Sequence, residues 1–278
     1  MEVNKKLHIT GVVQGVGFRP FIYQLARRYH LKGYILNDTS GVSIEIEGSE
    51  HTINSFIEAL QDELPPLARI DSLVRNTGEY TGYNSFKIVQ SEEANDKTTL
   101  VSPDIAICEQ CLTEMNDLDD RRYDYPFINC TNCGPRYSIM ETLPYDRPHT
   151  SMRSFTMCEA CNHEYHNPMD RRFHAQPISC HECGPRLKLL DNTHKVLAEA
   201  EDALFLAVQR IQKGGIVAVK GLGGFHLLCD ATNSEAVERL RERKNRPLKP
   251  FAVMFRDVET LDNSAVISEE EKNLISSK

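Results

Sequence analysis

Eight of the nine cysteines fall into four C-x-x-C pairs, and the pairs repeat. Cys108 and Cys111 are followed after 18 residues by Cys130 and Cys133, and Cys158 and Cys161 after another 18 by Cys180 and Cys183. The period is 50 residues and carries more than sulfur. Asp120-Arg121-Arg122-Tyr123 returns as Asp170-Arg171-Arg172-Phe173, and Gly134-Pro135-Arg136 as Gly184-Pro185-Arg186. Two close pairs supply the four thiolates of a closed tetrahedral zinc site. A glycine directly after the second cysteine (Gly134, Gly184) suits the positive φ of a tight metal-binding turn. A disulfide framework would need an oxidising compartment, and Met1-Glu2-Val3-Asn4-Lys5-Lys6 contains no apolar signal core. A redox C-x-x-C usually occurs once, near a strand-to-helix turn, not four times at fixed spacing. Two structural zinc ions are therefore expected, with no coordination position left for a substrate. Each repeat contains a full ligand set, which favours one zinc per repeat; pairing swapped between repeats is the alternative. His149, His163, His166, His174 and His181 are read as exposed or hydrogen-bonded, since cysteines complete both shells.

A second group of residues suits anion chemistry. Gly11-Val12-Val13-Gln14-Gly15-Val16-Gly17-Phe18-Arg19 leads from a predicted strand into a predicted helix. Gly15 and Gly17 let the backbone curl until successive N–H groups converge. The helix start behind them adds partial positive charge. Arg19, at that start, can direct two N–H donors at phosphate oxygens. The same glycines equally suit a plain tight connection, and it is the arginine that tilts the reading toward an anion site.

The elements needed to position these residues are legible in three textures. Residues 1 to about 90 contain no cysteine and read as β-α-β-β-α-β, a ferredoxin-like sandwich. The predicted strands lie at 6–12, 34–36, 42–46, 69–75 and 86–89. Helices are predicted at 20–29, where Phe21, Ile22, Leu25 and Ala26 share a face and Pro20 sits in the first turn, and around Ile53, Phe56, Ile57 and Leu60. Residues 91–100 are polar and read as a linker. The cysteine region follows to about 190, rich in turns and poor in periodicity, so that metal has to substitute for a core there. From about 200, helices are predicted at 203–211, at 235–243 and after a capping box at Ser268 and Glu271. Buried strands are predicted at 216–219 and 251–255. His226 and Cys229, beside the first of these, read as core residues rather than catalysts. Two buried strands need neighbours, and this last segment looks cut short.

Composition narrows the class. Hydrophobic residues make up 40% of the 278 and charged residues 26%, which are globular values. A net charge of −8 is the wrong sign for a protein that mainly grips nucleic acid. No apolar run approaches the roughly 20 residues of a membrane span, and the cytoplasm is the expected location.

Residues 11–19 match the acylphosphatase signature G-x-V-x-G-V-x-F-R without a gap, and Gly33-Tyr34-Ile35-Leu36-Asn37 with Gly41 and Gly48 resembles the family's second element. Ser43 is a departure, standing where that family has valine. The resemblance implies that Arg19 binds phosphate, that Asn37 orients the attacking water, and that the backbone of Gln14, Gly15, Val16, Gly17 and Phe18 cradles the anion. It implies hydrolysis of an acyl phosphate. An acylphosphatase module ahead of paired C-x2-C-x18-C-x2-C repeats, with 24 residues between them, is a specific combination. Together with Tyr125-Pro126-Phe127 and Leu143-Pro144-Tyr145-Asp146-Arg147-Pro148, it resembles the N-terminal part of HypF-type carbamoyltransferases, maturation factors for nickel–iron hydrogenase.

That resemblance implies an α+β multidomain chain in three parts. They are an acylphosphatase-like sandwich at 1–91, two zinc-finger repeats within 92–190 (about 105–140 and 155–190), and an incomplete YrdC-like α/β domain at 191–278. In the last, Lys220, Lys244, Arg246 and Lys249 are implied to bind a nucleotide, although Lys244 to Lys249 taken alone read as a solvated helix end. The family implies carbamoyl phosphate as substrate, ATP as co-substrate and HypE as the acceptor protein. The short third part is expected to bind ATP weakly or not at all, and the chain to be a fragment or truncated form. Two readings compete: a zinc-scaffolded binding module without turnover, and a YrdC-like factor for tRNA threonylcarbamoylation. The acidic charge argues against the second.

Overall fold

A computed structural model describes residues 2–91 and 100–277, so the expected linker falls, from 92 to 99, outside the described residues. The chain divides into two compact units, Met1–Pro185 and Arg186–Lys278.

The first unit begins with β1 (Glu2–Val12), α1 (Phe18–Arg28), β2 (Lys32–Asn37), β3 (Val42–Ser49), α2 (Glu50–Asp62), β4 (Arg69–Gly78) and β5 (Phe86–Ile88). The sheet order is β4-β1-β3-β2-β5, antiparallel except for β5 against β2. The first four strands with two helices form the expected ferredoxin-like sandwich. Period-2 alternation in β1 sends Leu7 and Ile9 into the core with Ile35, Val42, Ile44 and Ile46. Helical spacing sends Ile22 and Leu25 from α1, and Ile53, Phe56 and Leu60 from α2, against them. Each such side chain contributes about 1.5–3 kcal/mol when fully buried. β1 is longer than the predicted 6–12, because four further residues find partners on β3, and two of them, Asn4 and Lys5, on β4 as well.

Hydrophobic burial is sparse after β5. The helices α3 (Glu109–Asn116) and α4 (Glu159–His166) each start at a cysteine N-cap, Cys108 and Cys158. Small clusters form around the sulfurs, with Tyr125 and Ile128 in one repeat and Ala175 and Ile178 in the other. The repeats also pack on the sandwich. Tyr23 of α1 meets Phe173 edge-on at 5.4 Å, and Gln24 Nε2 donates to the Pro168 carbonyl at 2.8 Å.

The second unit has a hairpin, β6 (Lys188–Leu190) with β7 (Val196–Glu199), the helix α5 (Ala200–Gln212), and a second hairpin, β8 (Val217–Lys220) with β9 (Phe225–Leu228). The helices α6 (Ser234–Arg243), α7 (Val258–Asp262) and α8 (Glu269–Ile275) follow, the last starting at the Ser268–Glu271 capping box. Two sequence expectations fail here. Residues 251–255 form no strand, and Met254 is 93% exposed: an apolar run extends into a sheet only when a partner strand takes its N–H and C=O groups. The strand expected as buried at 216–219 is β8, half exposed and paired with an exposed β9. His226, on β9, is accordingly exposed rather than in a core, while Cys229 is half buried.

Candidate functional site

The turn between β1 and α1 has the conformation its glycines allow. Gly15 and Gly17 take φ of 72° and 75°, and Gly17 caps α1 in the left-handed region. No side chain caps α1 and no acidic residue sits in its first turn, so the helix start presents N–H groups and positive field to the loop. Gln14 fixes the loop from behind. Its amide donates to the carbonyls of Asp38 and Gly41, both at 2.7 Å, and accepts from the Tyr145 N–H at 3.0 Å. Asp38 holds the β2–β3 turn, accepting from the N–H groups of Ser40 and Gly41 at 2.8 Å. Ser43 donates to Asp38 at 2.8 Å and lies 3.2 Å from His8 Nδ1, so the departure from valine places a hydroxyl in this polar network.

Arg19 and Asn37 meet at the mouth of the loop. Both are buried, at 8% and 1% exposed. With the Asn37 amide turned to satisfy both groups, its oxygen accepts from Arg19 Nε and Nη2 at 3.2 Å each. The guanidinium has a further partner from far along the chain: Arg19 Nη2 pairs with Asp146 Oδ1 at 2.5 Å. Ser91 donates to the other Asp146 oxygen, and Arg19 Nη1 reaches Ser91 Oγ at 3.4 Å. A pocket lined by Gly15, Gly17, Arg19, Asn37, Tyr145 and His174 opens at this point. Burial, reinforced by the charge of Arg19, pushes the His174 imidazole down to about 3, so it is neutral at physiological pH. Asp146 and Ser91 do not emerge from sequence reasoning as partners of Arg19, nor His174 as its neighbour in the pocket. Their separations from it are long and carry no periodic signal.

The finger residues close over the loop. The Arg136 guanidinium, fully buried, donates to the carbonyls of Gly15, Gly134 and Thr131. The Tyr145 ring lies 3.1 Å from where a Cβ on Gly15 would stand, and Thr131 lies 3.3 Å from the equivalent point on Gly17. Glycine at these positions thus serves both the positive φ and the close approach of the cover.

The cysteines form two sets, Cys108, Cys111, Cys130 and Cys133, and Cys158, Cys161, Cys180 and Cys183, with sulfurs in each within 4.8 Å of one another. Each set comes from one repeat, which decides against swapped pairing. Measured Sγ separations are 3.6 to 3.8 Å, and none of the cysteines is disulfide-bonded. A tetrahedron with metal–sulfur bonds near 2.3 Å has edges of about 3.8 Å, so both sets fit a structural zinc ion. The repeats support each other's sulfurs. Arg171 donates to Cys111 Sγ at 2.9 Å, and Arg121 to Cys161 Sγ at 3.0 Å. Arg171 and Arg172 also pair with Glu114, while Arg121 and Arg122 pair with Glu164. Burial alone would push both carboxyls up, but the paired arginines outweigh it and hold them below the ordinary value. Glu114 and Glu164 each follow the second cysteine of a pair by three residues, a repeat that the sequence displays and that signals this exchange.

The cations of the second unit are arranged otherwise. Lys244 and Lys249 are exposed. Lys220 lies 6.0 Å from the Phe225 ring centroid. Arg246 folds back, donating to the Pro250 carbonyl at 3.0 Å and stacking on Phe251 at 5.6 Å.

Comparison with known proteins agrees with this layout. Residues 5–88 match the acylphosphatase family, residues 107–140 and 157–190 the HypF finger, and residues 209–278 the YrdC-type telomere recombination family. A carbamoyltransferase HypF from Synechocystis sp. is 54% identical over 90% of this chain and 32% of its own length. An acylphosphatase from Archaeoglobus fulgidus is 37% identical over 30% of this chain and 93% of its own. A crystal structure of full-length HypF in the phosphate- and nucleotide-bound form superimposes with a TM-score of 0.91 at 47% identity, covering all of this chain and 36% of that one. The chain spans about a third of the length of the HypF relatives it matches. No helix among the described residues is long and apolar enough to cross a membrane. A glycine loop with its arginine and asparagine, covered by two cysteine repeats and followed by a YrdC-like region, matches about a third of the length of the HypF-type carbamoyltransferases, and residues 5–88 belong to the acylphosphatase family.

Proposed function

We propose that the Arg19–Asn37 site hydrolyses an acyl phosphate, carbamoyl phosphate first among them, as the opening step of a carbamoyl transfer. The observation that carries the reading is the convergence of a buried guanidinium and a buried amide on an uncapped helix start behind Gly15 and Gly17. Loop amides and Arg19 hold the phosphoryl oxygens and stabilise the charge that grows there. Asn37 aims water at phosphorus. The bond from phosphorus to the bridging oxygen breaks, giving carbamate and inorganic phosphate, and the substrate's phosphate takes the proton of the water. In this division of labour residues 1–91 carry the chemistry and 92–190 hold two structural zinc ions as a cover and frame. Residues 191–278 contribute Lys220, Lys244, Arg246 and Lys249 toward ATP, which would activate carbamate as an adenylate. The HypF neighbour that holds phosphate and nucleotide supports such a sequence. The acceptor is a HypE-type protein in nickel–iron hydrogenase maturation, in the cytoplasm.

The chain incubated with carbamoyl phosphate in oxygen-18-labelled water should release phosphate carrying one heavy oxygen. Asn37→Ala should slow that release about 100-fold, in line with the loss of one preorganised polar group. Unlabelled phosphate, or a rate no higher than in buffer, sinks the proposal.

A further inference from the structure

We propose that Asp146 is the acyl-group selector of this site, a carboxylate that accepts an N–H of the carbamoyl amine and so discriminates carbamoyl phosphate from acyl phosphates bearing carbon there. The inference rests on the acyl-phosphate reading above.

Four observations carry it. Asp146 is held against the guanidinium proposed to bind phosphate: Oδ1 is 2.5 Å from Arg19 Nη2, and the side chains are 19% and 8% exposed. Its second oxygen accepts from Ser91, so the carboxylate is oriented rather than merely nearby. The segment carrying it is fixed to the phosphate loop. Tyr145, its neighbour, is 4% exposed, donates its N–H to Gln14 at 3.0 Å and its hydroxyl to the Pro135 carbonyl at 3.1 Å. Finally, the family match to acylphosphatases ends at residue 88, so this carboxylate is supplied from outside the part shared with them.

A fixed negative charge beside a phosphate site repels any phosphate ester or anhydride. A substrate that also brings a hydrogen-bond donor offsets that repulsion, and one that does not leaves the carboxylate facing carbon. In carbamoyl phosphate an amino group sits on the carbonyl carbon that is joined through the bridging oxygen to phosphorus, so its N–H donors lie one carbon away from that oxygen. Arg19 then spans phosphate and carboxylate, and Asp146 reads the amine. Acetyl and benzoyl phosphate present a methyl or a ring at the same place. Sites built to bond a polar substrate group reject analogues lacking it far more strongly than apolar pockets reject a missing methylene.

The test compares carbamoyl, acetyl and benzoyl phosphate as substrates of the zinc-loaded chain and of Asp146→Asn. The amide keeps the shape and removes the charge. Carbamoyl phosphate should lose about 100-fold in kcat/KM, a modest part of the discrimination such sites achieve. Acetyl and benzoyl phosphate should be cleaved as fast or faster, and inorganic phosphate should inhibit more strongly. Equal losses on all three substrates would instead make Asp146 a general base or a prop for Arg19 and overturn the selector; so would no change on any. If the unaltered chain cleaves none of the three, the acyl-phosphate reading itself has failed and the selector falls with it. Zinc content and thermal midpoint report whether the variant folds. Should it not, Ser91→Ala, which frees one carboxylate oxygen, should shift the substrate ratio in the same direction by a smaller factor, and an unchanged ratio counts against the selector.

Discussion

Arg19 and Arg246 are both arginines that the sequence offers as phosphate ligands. Arg19 is held by Asn37 from β2 and by Asp146 from the finger segment, residues 18 and 127 positions away. Arg246 is held within its own loop, by Pro250 and Phe251 four and five positions on, with its Nε buried and without a hydrogen-bond partner. The lysines near Arg246 are exposed, whereas beside Arg19 Asn37 is buried and Asp146 and Ser91 are half buried. A cation braced by distant parts of the fold keeps its aim when a ligand is absent. One held locally has to give up its own contacts to serve a ligand. Preorganisation therefore belongs to the first site and not to the second as it stands here.

The comparison breaks most visibly at the arginines themselves. Arg19→Ala should lower kcat/KM for carbamoyl phosphate by about 1,000-fold or more, the scale seen when a charge-stabilising donor is removed. Arg246→Ala should leave phosphate release within about twofold, because the contacts of Arg246 lie within its own segment. A steady-state phosphate-release assay measures both, and similar losses in the two variants would erase the distinction drawn here.

The frame around Arg19 can be loosened without touching it. Because Arg171 donates to Cys111 of the other repeat, Arg171→Gln should weaken zinc at the Cys108 set by about 10- to 100-fold, the usual cost of losing an outer-sphere partner. The Cys158 set, in its own repeat, should hold zinc nearly unchanged. Cadmium-113 NMR during chelator titration resolves the two sites. Parallel loss from both, or loss from the near site alone, contradicts the exchange.

The smallest effect concerns His174. Its folded value of about 3 lies below the ordinary 6.5, so the unfolded chain takes up a proton that the folded chain refuses. The stability associated with the buried neutral ring is fully present above about 6.5 and is lost as pH falls from there toward 3. Urea midpoints at two values, one just above and one a unit below that upper limit, should differ less in His174→Gln than in the parent. His226→Gln, at an exposed position, should leave the difference intact. Equal slopes in all three proteins would remove His174 as the cause.

How much of this was legible follows from the same contrast. The loop and its arginine are a contiguous string, with glycine demanded by positive φ at 15 and 17, and strings survive in sequence. The cysteine sets are legible through fixed spacing, and the helices through their apolar faces. Asp146 and Ser91 are not, because what makes them matter is a meeting in space across 127 and 72 positions from Arg19. The strand expected at 251–255 errs for a related reason. Phe251 and its neighbours have strand-like composition, but a strand exists only if another lies beside it, and here Phe251 instead packs under Arg241 and Arg246.

The crossed arginines between the finger repeats have a consequence for what can be removed. Four thiolates around a divalent ion would carry an excess of two negative charges, and each repeat sets against it guanidinium groups borrowed from its twin and shared with Glu114 or Glu164. Neither is electrically whole alone. The tandem copies behave as the halves of a dimer written into one chain, so excising or replacing a single copy strands the metal cluster of the one left behind.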